Sequence, residues 1–172
     1  MSRSCLARFL AGWILVLPAA SAWAARPTNV IFMIGDGMGF EHVKAGGIYL
    51  TGQPGTLCFE SFPYHAQVTT YSASSSVTDS AAAATALATG HKVNNGIISL
   101  AIPGDGSELQ TLLEFYKLRG ARTGLVTSDA MTGATPGGFG AHETSRNNRT
   151  QIANTFSIRP GPMSCSAAVQ TG

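Results

Sequence analysis

The stretch "VTDSAAAATALATG", residues 77–90, decides how the rest of this 172-residue sequence is interpreted. Asp79 and Ser80 stand side by side in it, and an alanine-rich run follows them. Because alanine has the highest helix propensity and Asp or Ser favours the N-cap, the pattern predicts a helix over about 79–89, ended by Gly90. Taken alone, Ser80 is either a simple capping residue or a nucleophile at the positive end of a helix dipole.

Predicted strands and helices alternate on both sides of this helix. Apolar and β-branched runs predict strands at 29–34, 66–71 and 122–127. Further helices are predicted at 40–50 and at 107–119, where Ser107 and Gln110 would form a capping box and Gly120 would follow the last turn. Strand–helix–strand repeats are typical of an α/β fold, here a mostly parallel sheet flanked by helices.

The first 24 residues have the features of a secretory signal peptide. Arg3 and Arg8 precede a short apolar run at 9–17, and Ala22-Trp23-Ala24 fits the A-x-A cleavage pattern. We therefore expect a secreted or periplasmic protein with its folded part at 25–158 and no membrane attachment after cleavage. Cleavage would leave nine basic and nine acidic residues without a basic stripe, so nucleic-acid binding is not expected.

Three predicted loops carry residues with chemical potential, because sites in parallel α/β folds gather where strands end and helices begin. In "GDGMG", Asp36 between glycines suits either a solvated turn or a hard metal ion. No G-x-S-x-G pattern surrounds Ser80 in the second loop, which argues against acyl transfer. In "MTGATPGGFGAHETSR", the Thr135 hydroxyl is available to a metal or water, and Arg146 offers a fork that suits two phosphate oxygens.

Three motifs together resemble the alkaline phosphatase family in residues, order and spacing. They are "NVIFMIGDGMG", "VTDSAAAATALATGHKVNNG" and "GATPGGFGAHETSR", and the resemblance covers about 29–156. It implies an alkaline-phosphatase-like α/β fold, of which this sequence holds only part. It also implies hydrolysis of small-molecule phosphate monoesters at a site with two Zn²⁺ and one Mg²⁺. A homodimer is expected of a full-length form.

The resemblance also implies a role for each matching residue. Ser80 would be the nucleophile that becomes phosphoserine, and its oxygen would be a zinc ligand. Asp36 would bridge the magnesium site and one zinc site, and Thr135 would be a magnesium ligand. Arg146 would hold the substrate phosphate, and Asp79 would orient Arg146.

Two features depart from the family pattern. Gly133 stands where members usually carry an aspartate or a histidine that shapes the magnesium site. The family's later aspartate and histidine ligands are also missing, so we expect the 172-residue chain itself to be inactive. The alternative interpretation is a non-catalytic fragment that lacks the distal zinc ligands. A sulfatase fits less well, because C/S-x-P-x-R is missing around Ser80, and phosphodiesterase relatives usually have threonine there.

The end of the sequence breaks with the family style. With suitable codons, "PMSCSAAVQTG" shifted by one base reads D-V-L-L-G-G-G-A-D-W, which resembles the family at this point. We therefore expect 159–172 to be a frameshifted tail. Cys165 would then be an artefact and would give no disulfide with Cys58. His142 receives no ligand role.

Overall fold

The computed structural model describes residues 29–158 and 163–167. The predicted signal peptide and most of the predicted tail lie outside these residues. Contacts divide the chain into two units, Met1–Ile34 and Gly35–Gly172. All helices and strands of the described residues belong to the second unit: α1 (Phe40–Thr51), a 3₁₀ helix (Cys58–Ser61), α2 (Ser80–Thr89), α3 (Leu112–Lys117), β1 (Thr123–Thr127), α4 (Ala134–Gly140), α5 (Arg149–Ile158) and β2 (Met163–Ala167).

Two of the three predicted strands are wrong. Residues 29–34 and 66–71 form no regular secondary structure, and all of them are exposed. A β-branched or apolar run favours a strand only where a neighbouring strand takes up its backbone hydrogen bonds. The third prediction is confirmed by β1, which pairs in parallel with β2 from Thr123↔Met163 to Thr127↔Ala167. Within the described residues, the predicted mostly parallel sheet is therefore this one pair of strands.

The helices predicted at 40–50 and 79–89 are confirmed as α1 and α2, and each ends just before a glycine. α1 is followed by Gly52 at φ 81°, and α2 by Gly90 at φ 76°. Both glycines adopt the left-handed conformation that L-residues with a side chain avoid. At the start of α2, Asp79 is the N-cap, and its carboxylate accepts a hydrogen bond of 2.9 Å from the amide of Ala82.

The helix predicted at 107–119 is shorter than expected, and the predicted capping box is wrong. α3 begins at Leu112, with Thr111 as its N-cap. The Thr111 hydroxyl accepts from the Glu114 amide at 3.2 Å, and the Glu114 carboxylate accepts from the Thr111 amide at 3.0 Å. The upstream residues instead bond to a preceding segment, as in the bridge between Leu100 and Glu108. A second capping pattern four residues later therefore defines the helix start.

The core of the described structure lies around α2 and α4. Ile98 and Ile152 are fully buried there, together with small side chains of both helices. Gly138 allows a very close approach, since a Cβ on it would lie 2.8 Å from the Cβ of Ala84. The alanine-rich face of α2 can therefore lie almost directly against the backbone of α4. Among the described helices, none is long and apolar enough to cross a membrane.

Candidate active site

Asp36 joins two hydroxyl groups that are far apart in the sequence. The Ser80 hydroxyl donates a hydrogen bond of 3.0 Å to Asp36 Oδ1, and the Thr135 hydroxyl donates one of 3.0 Å to Asp36 Oδ2. Ser80 is the first residue of α2, and Thr135 is the second residue of α4. The close packing of the two helices thus brings both hydroxyls to one carboxylate. All three residues were singled out from the sequence.

Asp79, next to Ser80, holds Arg146. An η nitrogen of Arg146 donates to Asp79 Oδ2 at 3.1 Å. The same oxygen accepts from the amide of Gly96 at 2.9 Å, while Oδ1 accepts from the amide of Ala82. Asp79 therefore caps α2 and contacts the guanidinium of Arg146 at the same time.

The hydrogen bonds around Asp79 keep its carboxylate ionised. Partial burial by itself raises the pKa of Asp79, but donors to the carboxylate outweigh it, and the pKa falls below its usual 3.8. These donors are the amides of Ala82 and Gly96 and the guanidinium of Arg146. Near neutral pH, the anion therefore keeps one side of the guanidinium occupied. Among the described residues, Nη2 of Arg146 has no hydrogen-bond partner, so it is available to a phosphate oxygen.

Both groups of residues meet at the N-terminus of α2. Ser80 carries the contact with Asp36, and the preceding Asp79 carries the contact with Arg146. Free backbone amides and the helix dipole favour negative charge at this end of a helix. The arrangement thus brings a serine hydroxyl, an arginine and a positive helix end together at one point, which suits phosphoryl transfer.

Gly133, the position that departs from the family pattern, is the N-cap of α4. A Cβ on Gly133 would lie 2.7 Å from Asp129 Oδ2 and 2.9 Å from the carbonyl oxygen of Ala130. Any side chain at this position therefore requires Asp129 and the adjoining backbone to move. The space that a larger residue at 133 would occupy is already filled by the Asp129 carboxylate.

His142 belongs to a buried polar cluster that sequence reasoning missed. Its side chain is 3% exposed, and Nε2 lies 3.0 Å from the Glu114 carboxylate, with Glu108 also near. Nδ1 lies 2.8 Å from the carbonyl oxygen of Ser99. Burial alone lowers the pKa of His142, but the bonds to Glu114 and Ser99 and the two carboxylate charges raise it above 6.5. Nothing in the spacing linked His142 to Glu114, 28 residues away.

The turn at Asn95–Gly96 was also missed, although Asn-Gly is a strong turn signal. Gly96, at φ 87°, donates its amide to Asp79 and accepts the amide of Arg146 at 2.7 Å. Asn95 accepts from the Asp79 amide at 3.2 Å. These contacts join residues far apart in the sequence. The Asn-Gly pattern could therefore predict the turn but not the residues that the turn contacts.

The oxygen atoms around Asp36 fit a hard cation. A carboxylate and two hydroxyls, from Asp36, Ser80 and Thr135, are the ligand type that Mg²⁺ prefers. A zinc ion binds four ligands: either four from the protein, or three from the protein and one water. In 29–158 and 163–167, no group of three or more His, Cys, Asp or Glu side chains could hold a metal ion.

Comparisons with known proteins identify the family to which the chain is similar. The family model described as alkaline phosphatase matches residues 27–166, which includes part of the predicted tail. Alkaline phosphatase 3 of Bacillus subtilis is 43% identical over 134 residues, which cover 74% of this chain and 28% of the relative. Streptomycin-6-phosphate phosphatase of Streptomyces griseus is 38% identical over 143 residues, which cover 77% of this chain and 32% of that relative. The chain thus spans about a quarter to a third of such curated relatives.

Solved structures give the same answer for the fold. Alkaline phosphatase from the Antarctic bacterium TAB5 is similar with a TM-score of 0.62 and 30% identity, over 71% of this chain and 34% of that one. The cold-active alkaline phosphatase of a Shewanella species is similar with a TM-score of 0.57 and 35% identity, over 71% and 31%. The fold is therefore alkaline-phosphatase-like as far as it is described, and the chain belongs to the alkaline phosphatase family.

Proposed function

We propose that this chain carries the nucleophile and phosphate-binding part of a site that hydrolyses phosphate monoesters through a phosphoserine at Ser80. The observation that carries the proposal is the pair of 3.0 Å hydrogen bonds that join Ser80 and Thr135 to Asp36. Arg146 is fixed to the residue next to the nucleophile by a 3.1 Å contact with Asp79. Family membership supports phosphoesterase chemistry.

In the first step, Ser80 Oγ attacks phosphorus, and the bond between phosphorus and the ester oxygen breaks. Asp36 Oδ1, which accepts the Ser80 hydrogen bond, orients the hydroxyl and takes up its proton as the new bond to phosphorus forms. The ester oxygen leaves with the electrons of the broken bond and gains a proton to depart as the alcohol. Arg146 and the amides at the start of α2 take up charge on the non-bridging oxygens. In the second step, water attacks the phosphoserine, inorganic phosphate leaves and the Ser80 hydroxyl is restored.

We also propose that Asp36, Ser80 and Thr135 contribute to a site for two Zn²⁺ and one Mg²⁺. Bound cations would lower the pKa of the serine hydroxyl and neutralise charge on the leaving oxygen. A variant of the TAB5 enzyme was solved with Mg bound in its M3 site, which supports the magnesium part. The oxygen ligands at Asp36 suit that ion. Gly133 leaves the proposed magnesium site without the side chain that the resemblance implies.

A non-catalytic role is the second candidate. Its support is that no cluster of three or more ligand side chains occurs within 29–158 and 163–167. Such a chain would bind phosphate or one cation at Arg146 and Asp36 without turnover. The first proposal also includes secretion to the periplasm or medium, small-molecule phosphate monoesters as substrates, and a homodimer.

The test is phosphate release from a chromogenic phosphate monoester with and without Zn²⁺ and Mg²⁺, for the unchanged chain, Ser80→Ala and Ser76→Ala. Ser76 is the control because it is an exposed serine four positions upstream of Ser80. Metal-dependent release that Ser80→Ala removes and Ser76→Ala retains would support the enzymatic proposal. Absence of release, together with binding of inorganic phosphate by the unchanged chain in equilibrium dialysis, would support the second candidate. Release that persists in Ser80→Ala would contradict the proposed nucleophile.

A further inference from the structure

The N-terminus of α2 lacks half of a local capping box. Asp79, the N-cap, accepts a hydrogen bond from the amide of Ala82 at 2.9 Å. In a complete box, the third helical residue would return an acceptor to the amide of the N-cap residue. Ala82 occupies that position and has no polar side chain. At α3, by contrast, Thr111 and Glu114 complete the box locally.

Asn95 supplies the missing acceptor from 16 residues away. Its Oδ1 accepts from the Asp79 amide at 3.2 Å, and its Nδ2 donates to the carbonyl oxygen of Val77 at 3.0 Å. Since one partner only donates and the other only accepts, they fix which way the amide points. The Asn95 side chain thus holds both ends of the three residues that directly precede Ser80. Its own amide donates to the Ser74 hydroxyl at 2.9 Å, further back in the same segment.

The neighbouring Gly96 extends this arrangement to Arg146. Its amide and carbonyl groups contact the Asp79 carboxylate and the Arg146 amide, at 2.9 Å and 2.7 Å. The turn therefore contacts the segment that carries Ser80 through Asn95 and the phosphate-binding arginine through Gly96. A side-chain change at Asn95 removes its contacts with Val77 and Asp79 and leaves the contacts of Gly96, which use only backbone atoms of Gly96.

We propose that Asn95 is a positioning residue, which completes the α2 capping box and thereby fixes the backbone that aims Ser80 at Asp36. The catalytic part of this inference rests on the proposed function. The side chain acts through Val77 and Asp79 and does not contact the reacting atoms. Its loss lets the start of α2 fluctuate, so the nucleophile spends less time in the attacking geometry.

Amide exchange measured by NMR on the full chain tests the contact without requiring activity. Asn95→Ala should speed exchange of the Asp79 amide about fivefold to tenfold, because one hydrogen bond is lost. Asn95→Asp retains an oxygen acceptor and should keep most of the protection. Asn94→Ala is the matched control, since no hydrogen bond of the Asn94 side chain occurs in the described structure. The core amide of Ala141, bonded to Gly137, should be unchanged in all variants and would reveal general destabilisation.

Steady-state kinetics on the metal-loaded chain test the consequence for catalysis. Asn95→Ala should lower kcat about tenfold and change KM less than about twofold, since Gly96 still holds Asp79 and Arg146. Equal Asp79 exchange in the unchanged chain and Asn95→Ala would overturn the proposal. Faster exchange with unchanged kcat would overturn its catalytic part. The missing distal ligands predict little or no turnover by the unchanged chain itself; in that case amide exchange alone decides the role of Asn95, and unchanged exchange would overturn that role without touching the proposed function.

Discussion

Helices α1 and α2 have similar lengths and similar ends but very different surroundings. They contain 12 and 10 residues, and each is followed by a glycine in the left-handed conformation. Within α1, only Gly47 is buried, and Tyr49 is 93% exposed. Five residues of α2 are buried, all of them alanine or threonine. Local signals were enough to define both helices, whereas burial depends on a matching partner surface.

The helix that packs against α2 is α4, and three of its seven residues are glycine. On α4, Gly138 leaves room for Ala84, and Gly137 lies near Ile98 and Ile152. Small residues on both helices let the backbones approach, and the two helix starts then meet at Asp36. Large apolar side chains on α1 give it no such contact among the described residues. The candidate site therefore depends on the packing of α2 far more than on that of α1.

The largest expected difference between the two regions comes from truncating an isoleucine in each. Ile152 on α5 is fully buried against α4, while Ile48 on α1 is 47% exposed. Ile152→Ala should lower the free energy of unfolding by about 2–5 kcal/mol, because it leaves a cavity. Ile48→Ala should cost less than about 1 kcal/mol. Urea unfolding measures both, and equal losses would contradict the contrast between the regions.

The next effect concerns two histidines. His142 is buried against Glu114, whereas His42 accepts only a local, exposed hydrogen bond from the Gly39 amide at 3.2 Å. His142→Gln should cost about 1.5–3 kcal/mol at acidic pH, since a bond to a charged group is lost. His42→Gln should cost less than about 1 kcal/mol at the same pH.

The His142 effect should depend on pH in a defined direction. Its folded-state pKa is raised, so protonation favours the folded state. The stabilisation is complete below the unfolded-state pKa of about 6.5 and is lost as pH rises through the folded-state value. Denaturant unfolding across this range should show the unchanged chain and His142→Gln converging as pH rises. A difference that grows with pH would show that His142 does not form a charged pair with Glu114.

The smallest expected effects come from adding one methyl group to each region. Gly138→Ala forces a Cβ to within 2.8 Å of Ala84 and should cost about 1–3 kcal/mol through overpacking. Gly46→Ala in α1 meets only Leu57 at 3.5 Å and should gain about 0.5–1 kcal/mol in helix propensity. Thermal unfolding followed by circular dichroism compares the two. A destabilised Gly46→Ala would indicate that α1 packs more tightly than this structure describes.

Sequence patterns located features whose causes are local. Gly90 ended α2 and Asp79 began it because a left-handed glycine and a capping carboxylate act within one helical turn. The predicted start of α3 was wrong because the sequence has two capping patterns four residues apart, at Ser107 and at Thr111, and the helix uses the second. The strands at 29–34 and 66–71 were wrong because a strand needs a partner that no local pattern supplies.

The candidate site divides in the same way. The sequence by itself determined the residue types, namely a serine and an aspartate at a helix start, an aspartate between glycines, and an arginine after "GAHETS". Only the tertiary structure decided that Ser80 and Thr135 share Asp36, from 44 and 99 residues away, and that Asn95 completes the cap of α2. The physical reason is range: capping and turn preferences act over a few residues, whereas these contacts depend on how segments far apart in the sequence pack together.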